Sequence, residues 1–454
     1  MTGRVAAGAQ GNDAPRSGYA RAHRRSVGIL RWTETIRGEP NGSGCPYCHH
    51  VWHHRLADSA ARSSAIGTLD ASNGRVRRLA LRRRGSSGDS AMIEAPIPAP
   101  MSRRSLLAAF GATLLLAALP RRASAAAQEA PAIIDTWAKA NAFQGVVLLA
   151  RDGKVAYAQP FGIVDVEARR PAKIDDVYGI ASISKWLTTL AVLRLVERRR
   201  LDLDRPITAW LPDYRADTGA RITLRRLLSN SSGLTEQFSP AVKADPSLAT
   251  LDLPAAEAVR RFASADLAFE PGAKFDYIFA NWIIVYAIVE AVADMRFTDA
   301  IRTLVLDPLE LRHTGTGAAI ATAPTTVPSY RTLSPPERRA YDRPGFIAAA
   351  GGYFSNAQDL MQAAHRVYDK GFLSPASLRQ LNTVEMPEEY ALGGRVKTLT
   401  LHGKRRTYAW ETGNTAGYRS LLAHRLDTRE TVVILNNSSM AQRQLDEFAI
   451  ATQS

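Results

Sequence analysis

The β-rich runs of this 454-residue chain stand far apart, and that spacing constrains the fold more than anything else in it. Gly145 to Arg151 and Lys154 to Ala158 are joined by Asp152-Gly153, a strong hairpin signal. Four further runs, Arg395 to Leu401, Arg406 to Thr412, Tyr418 to His424 and Thr431 to Asn436, lie near the other end. Turns at His402-Gly403-Lys404 and Asp427-Thr428-Arg429 separate the first pair and the last pair, which predicts an antiparallel meander. From about 200 to 345 the texture is helices and proline-rich loops, with helices starting near Thr223, a candidate cap, and running from Trp282 to Val292. Helices are also expected over 131–142, 357–368 and 441–451. The expectation is an α+β fold: one antiparallel sheet built from both ends of the mature chain, flanked by helices, with a mostly helical subdomain inserted between them. There are no internal repeats.

Charge is as uneven as structure. The formal net charge is +15, of which the first hundred residues carry +8 and residues 101–125 carry +4, leaving +3 for the rest. A basic stretch confined to one end gives no support to nucleic-acid binding by the main body. Residues 101–125 read as an export leader: Met101-Ser102-Arg103-Arg104, an apolar run from Leu106 to Leu119, then Ala123-Ser124-Ala125 as a cleavage site. That run is short for a bilayer span, so no permanent membrane anchor is expected. Ser102-Arg103-Arg104-Ser105-Leu106-Leu107 is similar to a twin-arginine signal. The expected location is periplasmic or secreted, after cleavage near Ala125.

A leader belongs at the start of a protein, so residues 1–100, which hold no lysine and little periodicity, read as an over-long start. The cysteines, in Cys45-Pro46-Tyr47-Cys48-His49, fall in that stretch. CxxC followed by His suits haem attachment or thiol redox chemistry only in a folded strand-to-helix context, and none is apparent. The motif is read as chance, which leaves a cysteine-free mature chain suited to an oxidising compartment.

The chemistry concentrates at Gly179-Ile180-Ala181-Ser182-Ile183-Ser184-Lys185-Trp186, followed by the apolar stretch Leu187 to Val196. Residues three apart share a helix face, about 5 to 6 Å between Cβ atoms, so Lys185 reaches the Ser182 hydroxyl while Ser184 points elsewhere. A serine is a poor nucleophile until a neighbour takes its proton, and a Ser-Lys pair is one solution. A helix N-terminus adds free N–H groups where an oxyanion would form. SxxK alone is also compatible with a helix cap and a solvated lysine. A Ser-His-Asp hydrolase is disfavoured: the chain has no GxSxG elbow, and His313, His365, His402 and His424 have no such context.

Together with this motif, Leu201-Asp202-Leu203-Asp204-Arg205-Pro206, Leu227 to Leu234, Pro271 to Tyr277, Asp307-Pro308-Leu309, Gly351-Gly352 and Gly413 to Tyr418 follow in one order. In that order the chain resembles the serine hydrolases that include class C β-lactamases, D-alanyl-D-alanine carboxypeptidases and related esterases, over about residues 130 to 440. The resemblance implies Ser182 as nucleophile, Lys185 as its proton partner, and Tyr277 as the group assisting proton transfer to the leaving group. It places the oxyanion hole at the N–H groups of Ser182 and Asn414, and implies no metal or cofactor.

Two positions depart from the family pattern. Tyr277-Ile278-Phe279 stands where the family has Tyr-x-Asn, with Asn281 as the candidate replacement amide. Glu411-Thr412-Gly413 stands where the family has Lys or His before Thr-Gly. A carboxylate at Glu411 is expected to repel anionic substrates and to raise the Lys185 pKa. The sequence therefore points to an exported serine hydrolase working through an acyl-enzyme on a small ester, amide or peptide, with neutral or cationic substrates preferred. A non-catalytic cell-wall or ligand-binding protein on the same fold is the alternative.

Overall fold

The computed structural model describes residues 125–453, apart from Asp342 and Ala416. The first hundred residues with Cys45 and Cys48, and all but the last residue of the expected leader, lie outside the described residues.

The chain opens with helix α1 (Ala125–Ala140) and the hairpin β1 (Gly145–Arg151) and β2 (Lys154–Phe161). After the short strand β3 (Tyr178–Gly179) comes helix α2 (Ile183–Glu197). The stretch that follows is mostly helical and includes α3 (Leu224–Leu228) and α4 (Phe279–Ala293). The short strand β4 (Gly315–Thr316), helix α5 (Ala348–Gly351), strand β5 (Tyr353–Ser355) and helix α6 (Ala357–Asp369) lead back to the sheet. The chain ends with β6 (Arg395–Leu401), β7 (Lys404–Asn414), β8 (Arg419–Arg425), β9 (Glu430–Asn436) and helix α7 (Gln442–Ala451). Among the described residues no helix is long and apolar enough to cross a membrane.

The six-stranded sheet runs in the order β6-β7-β8-β9-β1-β2, antiparallel throughout, so the two ends of the chain meet where β1 pairs with β9. The register sets Gly145 opposite Asn436 and Arg151 opposite Glu430. Successive side chains leave a strand on opposite faces. Val146, Leu148, Leu422, Val433 and Leu435 accordingly join the core shared with α2 and α4, while Val147, Leu421, Val432 and Ile434 pack under α1 and α7. Burial on both faces is why these strands read as nearly continuous apolar runs. The Trp137 ring stacks on Phe448 at 3.9 Å between centroids, tying the first helix to the last.

The sequence expectations for the hairpin, the meander, α4, α6 and α7 match these elements to within a few residues at each end. Thr223 caps α3 by accepting a hydrogen bond from the Arg226 amide. The helix at the start runs from Ala125 rather than 131. The sequence reading missed the three-stranded sheet β3-β5-β4, whose two- and three-residue strands are too short to carry periodicity. That small sheet matters for the site, because it fixes the two residues that lead into Ile180 and Ser182.

Helix α2 is buried over nearly its whole surface, as is α4, so neither shows an amphipathic face. Leu190 is fully buried in this core. Leu190→Ala is expected to lower the unfolding free energy by about 2–5 kcal/mol, read as a drop in the denaturant midpoint with an unchanged slope. A change below about 0.5 kcal/mol would show that this helix does not carry the core.

Candidate active site

Ser182 stands at the N-terminus of α2, the residue before its first helical turn, and is half-buried. Three residues on, Lys185 is only 2% exposed, and its Nζ lies 3.3 Å from Ser182 Oγ and 2.6 Å from the Ala350 carbonyl, to which it donates. Ser184 faces away, as expected: its hydroxyl donates to the Ala181 carbonyl at 2.6 Å and accepts from the Gly352 and Tyr353 amides.

The far side of Lys185 Nζ is walled by aromatic rings. It lies 4.6 Å from the centroid of Tyr277, 5.5 Å from Trp282 and 5.9 Å from Phe279. An amine in such a box is desolvated and meets the negative faces of the rings. Tyr277 arrives just ahead of α4, so the inserted helical part of the chain delivers the phenol to the Ser-Lys pair. Ser182, Lys185 and Tyr277 are thus brought together around one nitrogen.

Phe279 occupies the position of the family's asparagine and contributes a ring instead of an amide. Its own amide donates to Glu236 Oε2 at 2.6 Å. Asn281 does not replace the missing group. It is fully buried, accepting from the Ser232 hydroxyl at 2.5 Å and donating to Asn230 Oδ1 at 3.2 Å, so its amide is spent beneath the site. The sequence offered Asn281 by proximity alone; helical phase turns it into the core.

One tight seam joins strand β7 to the backbone that leads into Ser182. A Cβ on Gly413 would fall 2.2 Å from the Ile180 carbonyl oxygen and 2.1 Å from Ser420 Oγ. Ser420 Oγ in turn donates to that carbonyl at 3.0 Å, and the Ile180 amide donates to Tyr353. The absent side chain at 413 lets β7 run against the backbone two residues before the nucleophile. Asn414, next along and exposed, is the last residue of β7. Thr412, half-buried, pairs with Leu421 of the neighbouring strand β8. Between Ile180 and Ser182, Ala181 sits in the left-handed region with φ 46°, a bend that turns the strand end into the helix.

Glu411 departs from the expectation. It is 5% exposed, and its carboxyl lies so flat on Gly394 that a Cβ there would meet Oε1 at 2.1 Å. Burial pushes its pKa up to about 8, with Arg395 opposing the rise. At neutral pH this carboxyl is therefore protonated, and no fixed negative charge faces the cleft from position 411. The neighbouring Gly393, with φ 76°, packs on the helix: a Cβ there would meet Thr189 Oγ1 at 2.1 Å and the Lys185 carbonyl at 2.8 Å. The Gly393-Gly394 wall and the Ala350 carbonyl were not picked out in the sequence, although paired glycines were a usable signal for close backbone approach.

With the fold and this geometry in view, the comparisons agree. The Beta-lactamase family model matches residues 130–453, and the chain belongs to that family. Over 181 residues it is 35% identical to Esterase EstB of Burkholderia gladioli, a stretch covering 37% of this chain and 46% of that protein. The chain thus spans less than half the length of that relative. Among solved structures, EstCE1, described as a hydrolase with promiscuous acyltransferase activity, superposes with a TM-score of 0.61 at 24% identity, covering 73% of this chain and 100% of that one. A penicillin-binding protein from Bacillus halodurans gives a TM-score of 0.61 at 21% identity, covering 72% and 99%. At these identities the two superpositions speak for the fold alone.

The raised pKa of Glu411 makes a prediction about stability. A carboxyl whose folded pKa exceeds its ordinary value of 4.5 contributes stability that is complete below that value and lost as pH rises through about 8. The stability of the wild type relative to Glu411→Gln should fall across that window, by on the order of a few kcal/mol, measured by denaturation at several pH values. A difference independent of pH would show that the carboxyl is not buried in its neutral form.

Proposed function

We propose that this protein is an exported serine hydrolase that cleaves a small ester or amide through an acyl-enzyme on Ser182. The observation that carries the reading is the position of Lys185 Nζ, in hydrogen-bond reach of Ser182 Oγ and 4.6 Å from the Tyr277 ring centroid. Ser182 Oγ attacks the carbonyl carbon as its proton passes to Lys185 Nζ. The carbonyl oxygen becomes an oxyanion held by the Ser182 and Asn414 N–H groups. The bond to the leaving group then breaks, with the proton returned from the Lys185–Tyr277 pair to the departing oxygen or nitrogen. Water attacks the acyl-serine by the same path in reverse, releasing the acid and restoring the hydroxyl. The name of the Burkholderia relative, an esterase, supports the ester side of this reading.

On substrate charge, position 411 offers no cation for a substrate carboxylate, and its carboxyl is neutral until pH approaches about 8. Neutral esters therefore fit best at neutral pH, and above that value the ionised carboxyl favours cationic ones. Anionic β-lactams and peptides with a free terminal carboxylate are disfavoured. The preference expected from a charged Glu411 is kept on a different ground: a missing cation rather than a repelling anion.

Fluorophosphonate labelling is expected to vanish in Ser182→Ala, and Lys185→Met should lower kcat on a neutral aryl ester by about a thousandfold or more. Tyr277→Phe should cost about a hundredfold or more. Absence of labelling in the wild type would leave the non-catalytic binding role instead. An anionic β-lactam hydrolysed faster than the neutral ester would refute the substrate preference.

Export is tested separately. N-terminal sequencing of the protein from the extracytoplasmic fraction should begin near Ala126, and a peptide from residues 1–100 in that product would overturn the leader assignment.

A further inference from the structure

The hole needs two N–H groups held in a fixed relation, and the Asn414 one stands at an exposed strand end. Just beyond it, Thr415 is buried and every polar atom it has is engaged. Its amide donates to the Tyr418 carbonyl at 3.2 Å. Its carbonyl accepts from the Gly417 amide at 2.7 Å and from the Arg419 guanidinium. Its hydroxyl accepts from Arg343 Nη2 at 3.2 Å.

The first three contacts are made within the turn itself. Arg343 is different, since it comes from a segment 72 residues earlier in the chain. Two residues before it, the Tyr341 ring lies over Gly179, where a Cβ would stand 3.2 Å from Cε1, and packs edge-on against Tyr418 and Phe354. One short segment thus touches the strand that leads into Ser182 and the turn that follows Asn414, the two limbs of the oxyanion hole. Arg343 lies over the Tyr341 ring at 5.6 Å and makes no ion pair with any carboxylate among the described residues. Its charge is committed to a neutral hydroxyl one residue from an oxyanion donor.

We infer that Arg343 is a positioning residue for the oxyanion hole: through Thr415 it locks the Asn414 limb and sets a positive charge behind the developing oxyanion. The inference rests on the acyl-transfer reading above. Preorganised donors and charges act on the transition state, in which negative charge appears on the carbonyl oxygen, and hardly on the neutral ground state. Loss of Arg343 should therefore lower kcat and spare KM. The same side chain also lines an open cleft of about 700 Å³ with Tyr286, Tyr341 and Phe354, which supplies a rival role in substrate binding.

The test uses steady-state kinetics of the full chain on a neutral aryl ester. Arg343→Met is expected to lower kcat about 10- to 100-fold with KM within about twofold. Thr415→Val should give a smaller loss of the same kind. The double variant should be no worse than Arg343→Met alone, because both changes cut one link. Arg343→Lys should keep part of the activity, and added guanidinium should restore part of the loss in Arg343→Met. Unchanged kcat in Arg343→Met, a raised KM with kcat intact, or fully additive losses in the double variant would each overturn the inference. Should Arg343→Met fail to fold, Thr415→Val and Arg343→Lys carry the same test. Ester turnover that persists in Ser182→Ala would instead remove the acyl-enzyme reading itself.

Discussion

The contact between the backbone at Gly413 and the Ile180 carbonyl decides where everything else in the site can stand. It is a backbone-to-backbone approach that any side chain at 413 would block, sealed by the Ser420 hydroxyl. The sheet arrives from one side and helix α2 leaves from the other, so the seam fixes where Ser182 stands relative to β7. A misplacement of an ångström here would shift the Ser182 and Asn414 N–H groups proposed as the oxyanion hole, whose value would depend on fixed aim rather than on strength.

The second constraint is desolvation around Lys185. The amine is 2% exposed and is placed among three aromatic rings, one hydroxyl and one carbonyl. Phe279 belongs to this arrangement. Where the family pattern has an amide, this chain adds apolar wall, and below it a buried polar network runs through Asn281, Asn230 and Ser232, with the Trp282 indole also donating to Asn230. Desolvation acts at Glu411 too, where burial raises the carboxyl pKa to about 8.

A charge-bearing residue type is thus a poor guide to charge in a buried place. Glu411 was read as an anion because glutamate in water is one; packed on Gly394 it is a neutral acid over most of the physiological range. Position in the sequence is a poor guide to reach as well. Arg343 gave no signal in the sequence, since an isolated arginine before a proline looks like any surface residue, yet it donates to Thr415 in a turn 72 residues away.

Local pattern was enough for the parts of the molecule governed by local physics. The Asp152-Gly153 hairpin, the meander from Arg395 to Asn436 and the Ser182–Lys185 face of one helix follow from turn chemistry and from periods of 2 and 3.6 residues, which a sequence carries openly. The fold class and the family were legible for that reason, and so was the closeness of Ser182 to Lys185. Tertiary structure alone decided the rest: that Asn281 turns inward, that the Ala350 carbonyl holds Lys185, that Glu411 loses its charge, and that Arg343 braces Thr415. Each of these depends on which distant backbone lies within a few ångströms and on how much water it excludes, and neither quantity is written in residue types or in their spacing.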